Sequence, residues 1–75
     1  LKEEYDILLA NINRNILLDE MSEYALRIKT GGLLFLSGFY TQDIPSLRKS
    51  ALQHGLQLIK QSDKNNWACL MFQKN

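Results

Sequence analysis

Two apolar runs constrain this chain more than any other feature: YDILLA at residues 5–10 and LLFLSGF at 33–39. Neither shows the alternation of a half-exposed strand or the 3.6-residue period of a surface helix. Both therefore read as strands of a parallel sheet, apolar toward each face. Parallel neighbours need a crossover between them, and the intervening residues supply one. Asn13 suits a helix N-cap, and Leu17, Met21, Tyr24, Ala25 and Ile28 recur at helical spacing, while Asp19, Glu20, Glu23 and Arg27 fall mostly elsewhere around the helix. Lys29 and the Gly31-Gly32 pair mark its end.

A second helix is expected to start near Thr41 to Asp43, with Pro45 in its first turn and Ile44, Leu47 and Ala51 as its buried stripe, Leu52 being a further candidate. Gly55 after His54 is its stop. The runs LQLIKQS (56–62) and WACLMFQ (67–73) flank the polar loop DKNN and read as an antiparallel hairpin. The order is thus β-α-β-α-β-β. Right-handed crossovers progressing one way across a sheet put both helices on one face. Seventy-five residues make at most one domain with a modest core. The other face of the sheet then calls for an absent segment or another subunit, because large exposed apolar patches are rare on monomers. A fragment is expected, or self-association through the uncovered face, or both; a first residue of Leu1 rather than methionine points the same way.

Composition narrows the function classes. A net charge of +1 with scattered basic residues gives no electrostatic case for DNA, RNA or an anionic membrane, so no direct nucleic-acid or membrane binding is expected. Cys69 is the only cysteine, which excludes an intrachain disulfide, and no Cys/His cluster has metal-ligand spacing. A reducing, cytoplasmic setting fits best. No apolar run approaches the roughly 20 residues of a membrane span, and the N-terminus lacks the regions of a signal peptide.

The segments YDILLANINRNILLDEM, KTGG, LLFLSG, a G-L-Q-L strand and a W-x-C-L-M-F strand occur in an order and spacing that resembles the C-terminal half of a class I, S-adenosylmethionine-dependent methyltransferase. More narrowly, the chain is similar to the ribosomal protein methyltransferases of the PrmA type, whose substrate is the eleventh protein of the bacterial large subunit. Nearly the whole chain takes part. The resemblance implies strands four to seven of a seven-stranded Rossmann-like sheet, with the last strand antiparallel between its two predecessors. It implies S-adenosyl-L-methionine as cofactor and transfer of methyl groups to lysine or N-terminal amines of that large-subunit ribosomal protein. It also implies that residues 1–75 are the C-terminal portion of a catalytic domain, with the glycine-rich cofactor loop, the acidic ribose-binding residue and the N-terminal substrate-recognition domain lying upstream. The chain alone is then expected neither to bind cofactor usefully nor to turn over.

Within that frame the amide-rich stretch LLANINRN (8–15) becomes the candidate site. Ligands of open α/β sheets bind beyond the carboxyl ends of the strands, where Asn11 falls. Methyl transfer to an amine needs a neutral nitrogen aligned with the S–CH3 bond and little covalent help. An Asn carbonyl can accept an N–H from the amine, leaving the lone pair free, and adds no charge beside a sulfonium. The resemblance gives the asparagine at this strand end such a positioning role, so Asn11 is the first candidate, with Asn11 and Ile12 as edge contacts to the cofactor. Ser37, Gly38 and Tyr40 are candidates for the substrate pocket.

Structural readings stand beside these. An Asn at a strand-to-helix junction also satisfies local backbone groups. Asn13 reads as a cap, Asn15 as a first-turn solvent residue, Arg14 as a surface cation and Gly31-Gly32 as a helix stop. Phe39, Trp67 and Cys69 read as core, Tyr40 as surface loop or pocket wall, and His54 as a helix C-terminal residue rather than a base. Asp6 fits turn or backbone bonding. No obvious general base is present, although a lysine amine with a pKa of about 10.4 must shed a proton before attack.

Two alternatives differ in class. A glutamine or nucleic-acid amino-methyltransferase would carry an asparagine followed by two prolines and an aromatic, and N-I-N-R stands here instead. That substitution argues against a flipped planar base or amide as substrate. A non-catalytic α/β interaction module would use the bare sheet face as an interface and leave Asn11 as a mere cap.

Overall fold

The computed structural model describes residues 3–75. Strand β1 (Tyr5–Asn11) leads through helix α1 (Arg14–Arg27) to β2 (Ile28–Tyr40), then through one 3-10 turn (Thr41–Asp43) to helix α2 (Ile44–Gln53) and the hairpin β3 (Leu56–Lys64) and β4 (Trp67–Lys74). The sheet order is β1-β2-β4-β3, with β1 parallel to β2 and β4 antiparallel to both of its neighbours. The last strand therefore inserts between its two predecessors, as the resemblance implied.

One apolar layer lies between the sheet and both helices. Leu17, Met21 and Ala25 of α1 and Ile44, Leu47 and Ala51 of α2 join Ala10, Leu34, Leu36, Phe39, Ala68, Leu70, Phe72 and Leu56 in a single buried cluster. The register matches this layer strand to strand, with Leu34 opposite Phe72, Leu36 opposite Leu70 and Phe39 opposite Ala68. The opposite face is uncovered, and it leaves Ile7 56% and Leu9 74% exposed. Two helices on one side of strands that are apolar on both sides have this consequence.

Local chemistry explains the junctions. The Asn13 side chain accepts a hydrogen bond from the Ile16 N–H at 3.1 Å, capping α1 as expected. Gly55 follows α2 with φ +79, and the His54 ring nitrogen Nδ1 lies 2.8 Å from the Ser50 carbonyl oxygen, so both close the helix.

Several expectations are corrected. Helix α1 ends at Arg27, where Ile28 turns extended, so the glycine pair is not its cap. Residues 29–32 instead loop out opposite Asp6 within the β1/β2 pairing. A Cβ on Gly32 would lie 2.9 Å from the Asp6 carbonyl oxygen, which explains a glycine at that close approach. Asp6 itself pairs loosely with Lys29, at 3.7 Å. The hairpin loop is not DKNN but the pair Asn65-Asn66, both with positive φ as a two-residue type I′ turn demands. Leu52 is 68% exposed because the α2 stripe is complete without it.

Candidate active site

The candidate site is built at the carboxyl ends of β1 and β2. There the open face of the sheet changes from apolar to polar. Asn11 pairs with Ser37, and Ser37 pairs with Cys69, which in turn faces Ser62. Directly partnered residues share a face, so these side chains form one polar row across all four strands. The next row toward the strand starts, Leu9, Phe35 and Met71, is apolar except at Lys60.

A groove of about 560 Å³ opens over this polar row, lined by Asn11, Ser37, Gly38, Ser62, Asp63, Lys64, Trp67, Ala68 and Cys69. Its volume lies within the range of about 300–1,000 Å³ typical of small-ligand sites. A second depression, bounded by Arg48, Lys49, Leu52, Leu56 and Phe72, lies against α2 near the start of β3. That is the opposite end of β2, away from the strand tips where α/β sheets bind ligands.

Gly38 shapes the groove. It has φ +90 and interrupts the β2/β4 register as a bulge between Ser37 and Phe39. A side chain there would run into Asn11 Oδ1, with Ile12 N at 3.1 Å. The Asn11 amide therefore lies over a stretch of backbone that only glycine leaves open.

Of the residues singled out from the sequence, Asn11, Ser37 and Gly38 meet in this groove. Ile12 turns its side chain toward the buried core, while its backbone lies against Gly38. Tyr40 is outside the lining but adjacent to it: its ring stacks on Trp67, centroids 4.4 Å apart and planes 29° from parallel. Phe39 is core, as expected. Trp67 and Cys69 correct the reading as core. Trp67 is 51% exposed and Cys69 half-buried, since both lie on the open face while Ala68 between them takes the helix side.

The hairpin's share of the groove, Ser62, Asp63, Lys64 and Trp67, is absent from the sequence-derived site. Its signal was the antiparallel register, which carries the end of β3 and the start of β4 to the carboxyl end of β2. Arg14, expected as a surface cation, lies 3.8 Å from the Asp43 carboxylate and ties the start of α1 loosely to the turn after β2.

The donor set limits the chemistry. Among the described residues, no three His, Cys, Asp or Glu side chains are grouped to hold a metal ion. No helix among the described residues is long and apolar enough to cross a membrane. The groove instead offers a neutral amide, hydroxyls, one thiol, one carboxylate, one ammonium and an aromatic wall. Such groups orient a ligand by hydrogen bonds and contact rather than attack it.

Comparison with known proteins agrees over the whole chain. The model of a family described as "Ribosomal protein L11 methyltransferase (PrmA)" matches residues 1–75. A ribosomal protein L11 methyltransferase of Porphyromonas gingivalis is 56% identical over 68 residues, which cover 91% of this chain and 23% of that protein. One of Bacteroides fragilis is 46% identical over 71 residues, 95% of this chain and 25% of the relative. The chain thus spans about a quarter of the length of the curated relatives it matches. A solved ribosomal protein L11 methylase from Lactobacillus delbrueckii subsp. bulgaricus superposes with a TM-score of 0.91 at 21% identity, over 100% of this chain and 40% of its own. A methyltransferase from Pyrococcus furiosus follows with 0.77 at 13% identity, over 100% of this chain and 43% of that one. At these identities the structural likeness speaks for the fold.

Proposed function

The chain belongs to the ribosomal protein L11 methyltransferase family, and on that premise we propose that it is the C-terminal portion of a longer enzyme that methylates amino groups of ribosomal protein L11. The supporting observation is the Asn11 amide, held over Gly38 at the carboxyl end of a parallel strand and opening onto a groove large enough for an amine-bearing side chain.

S-adenosyl-L-methionine supplies a methyl group on a sulfonium, which passes to the amine nitrogen as the carbon–sulfur bond breaks. The residues present fit the border of that cofactor rather than its cradle. Asn11 and the Ile12 backbone would edge it without placing a charge beside the sulfonium, and the residues holding its methionine and ribose lie upstream. Asn11 Oδ1 accepts an N–H of the neutral amine and turns its lone pair toward the methyl carbon. Ser37, one strand over, adds a hydroxyl to the same polar row. Asp63 is the one carboxylate lining the groove. A carboxylate is too weak a base to take the proton of a lysine ammonium, whose ordinary pKa is about 10.4, so the proton leaves to water. A nitrogen that gains several methyl groups needs the open groove seen here rather than a closed slot.

The test uses the full-length protein. Calorimetry with S-adenosyl-L-methionine should show binding, and mass spectrometry should show methyl groups added to ribosomal protein L11. Asn11→Ala should lower kcat by about a hundredfold, the cost of a misplaced reacting group, with a smaller loss of cofactor affinity from the missing edge contact. Unchanged kcat in Asn11→Ala would leave this asparagine as a structural cap and favour an interaction module.

A further inference from the structure

An exposed tryptophan at the start of a central strand needs a reason. Trp67 lies on β4, between β2 and β3, and is still half-exposed to solvent. Its ring is fixed from one side by Tyr40, itself 46% exposed. The two large aromatics thus form a rigid surface beside the groove, at its opposite wall from Asn11. Two strand spacings separate those walls, about 10 Å. On the β3 side, Lys64 is the direct cross-strand partner of Trp67, and Asp63 brings an opposite charge to the same wall. Tryptophans held in this way, large and already ordered, are the residues that anchor protein partners.

We propose that Trp67, braced by Tyr40, is a substrate-positioning surface that takes the aliphatic stem and cationic head of the amine-bearing side chain whose nitrogen Asn11 orients. This rests on the methyl-transfer reading above. The amine arrives as an ammonium, since its ordinary pKa of about 10.4 lies well above neutral pH, and it departs as a methylated ammonium. An indole face attracts both by its quadrupole while its apolar area packs the stem. No charge on the wall has to be buried for this, and a methylated ammonium, which has fewer or no N–H groups to donate, loses nothing against an aromatic surface. The polar row at Asn11 and the aromatic wall at Trp67 then divide the work: one orients the neutral amine for attack, the other holds its charged forms in the groove.

The test compares Trp67→Leu, Trp67→Phe and Tyr40→Leu in the full-length protein, with S-adenosyl-L-methionine and ribosomal protein L11 as substrates and thermal melting as control. Trp67→Leu should raise KM for the protein substrate about two- to thirtyfold, the span of a cation–π contact from exposed to desolvated, with KM for the cofactor unmoved. Trp67→Phe should recover most of the loss, and Tyr40→Leu, which frees the indole without removing it, should raise KM less than Trp67→Leu. An unmoved KM in Trp67→Leu, or equal losses in the Leu and Phe variants, overturns the proposal and leaves the aromatic pair as a brace for the hairpin. If Trp67→Leu does not fold, an unmoved KM in Tyr40→Leu overturns it. A wild-type protein that binds cofactor but does not methylate ribosomal protein L11 overturns the methyl-transfer reading itself, which separates the two failures.

Discussion

Asn11 and Gly38 occupy one another's space: a single methyl group added to Gly38 would fall on the Asn11 side-chain oxygen. The contact joins two strand tips, one on β1 and one on the β2 bulge, and it sets where the amide can lie. Gly38→Ala must both adopt φ +90 and push Asn11 aside. The expected cost is about 1–3 kcal/mol, the range for a residue held in such a backbone region, together with a fall in methyl transfer comparable to that of Asn11→Ala. Urea midpoints and single-turnover rates on the full-length protein check both. Wild-type values for both would mean that the amide moves aside freely.

Lys74, at the end of β4, donates from Nζ to the carbonyl oxygens of Ala25 at 2.6 Å and Ile28 at 2.9 Å. A cation thus meets the unsatisfied carbonyls and the negative dipole end of α1, which is how the helix closes without a glycine cap. Lys74→Met keeps the stem and removes the charge. It should cost about 1 kcal/mol, and up to about 2 if the site is well shielded, with no change in catalytic constants, because this end of the sheet lies away from the groove.

How much of this was legible in the sequence depends on which contacts set each feature. The apolar runs of β1 and β2 and the stripes Leu17/Met21/Ala25 and Ile44/Leu47/Ala51 are local periodicities, so elements and core follow from them. The place of Asn11 at the end of β1 was legible because a strand tip is a fixed place in an α/β sheet. Trp67 was not: whether a residue near a strand end lies under a helix or faces open sheet depends on the register set by the Gly38 bulge, which appears only once β2 and β4 pair. The same holds for Ile59, where a second irregularity between Leu58 and Lys60 in the β3/β4 pairing leaves an apolar side chain exposed. The end of α1 was misplaced because its stop is a lysine 46 residues away in sequence from Ile28.

The Tyr24 hydroxyl donates to a Glu20 carboxylate oxygen at 2.6 Å, one turn back along α1. Burial, first, and then this hydrogen bond raise its pKa above the ordinary value near 10. Since the folded value exceeds the unfolded one, the associated stability is complete below about pH 10 and declines as pH rises beyond it. Urea midpoints should therefore fall on the alkaline side, and Tyr24→Phe should flatten that fall. A residual slope is expected from Tyr5, raised by its own bond to Glu3. An identical alkaline slope in Tyr24→Phe would remove Tyr24 as its source.

The turn at Asn65-Asn66 places both residues at positive φ, 52° and 69°. Asparagine tolerates this better than most residues, glycine better still. Asn66→Gly should raise stability by up to about 1 kcal/mol. Its backbone carbonyl keeps the bond from the Thr41 N–H at 2.9 Å. Catalytic constants should not move, since Asn66 is outside the groove lining. A lower melting temperature would show that the Asn66 side chain contributes more than its backbone strain costs.

The open sheet face tests whether this chain is part of a larger domain. Leu9 is 74% exposed beside Ile7 at 56%, although both stand on a strand whose inward residues are packed. If the chain were the whole folded unit, Leu9→Ala would be a surface change worth within about 0.5 kcal/mol. If upstream residues of the same protein cover the face, as a chain spanning about a quarter of its relatives' length invites, Leu9 is core. Leu9→Ala in the full-length protein should then cost about 2–5 kcal/mol. Chemical denaturation of that one variant decides between the two, because the ranges do not overlap. A large loss places Leu9 inside a sheet covered on both faces, where an apolar strand without alternation belongs.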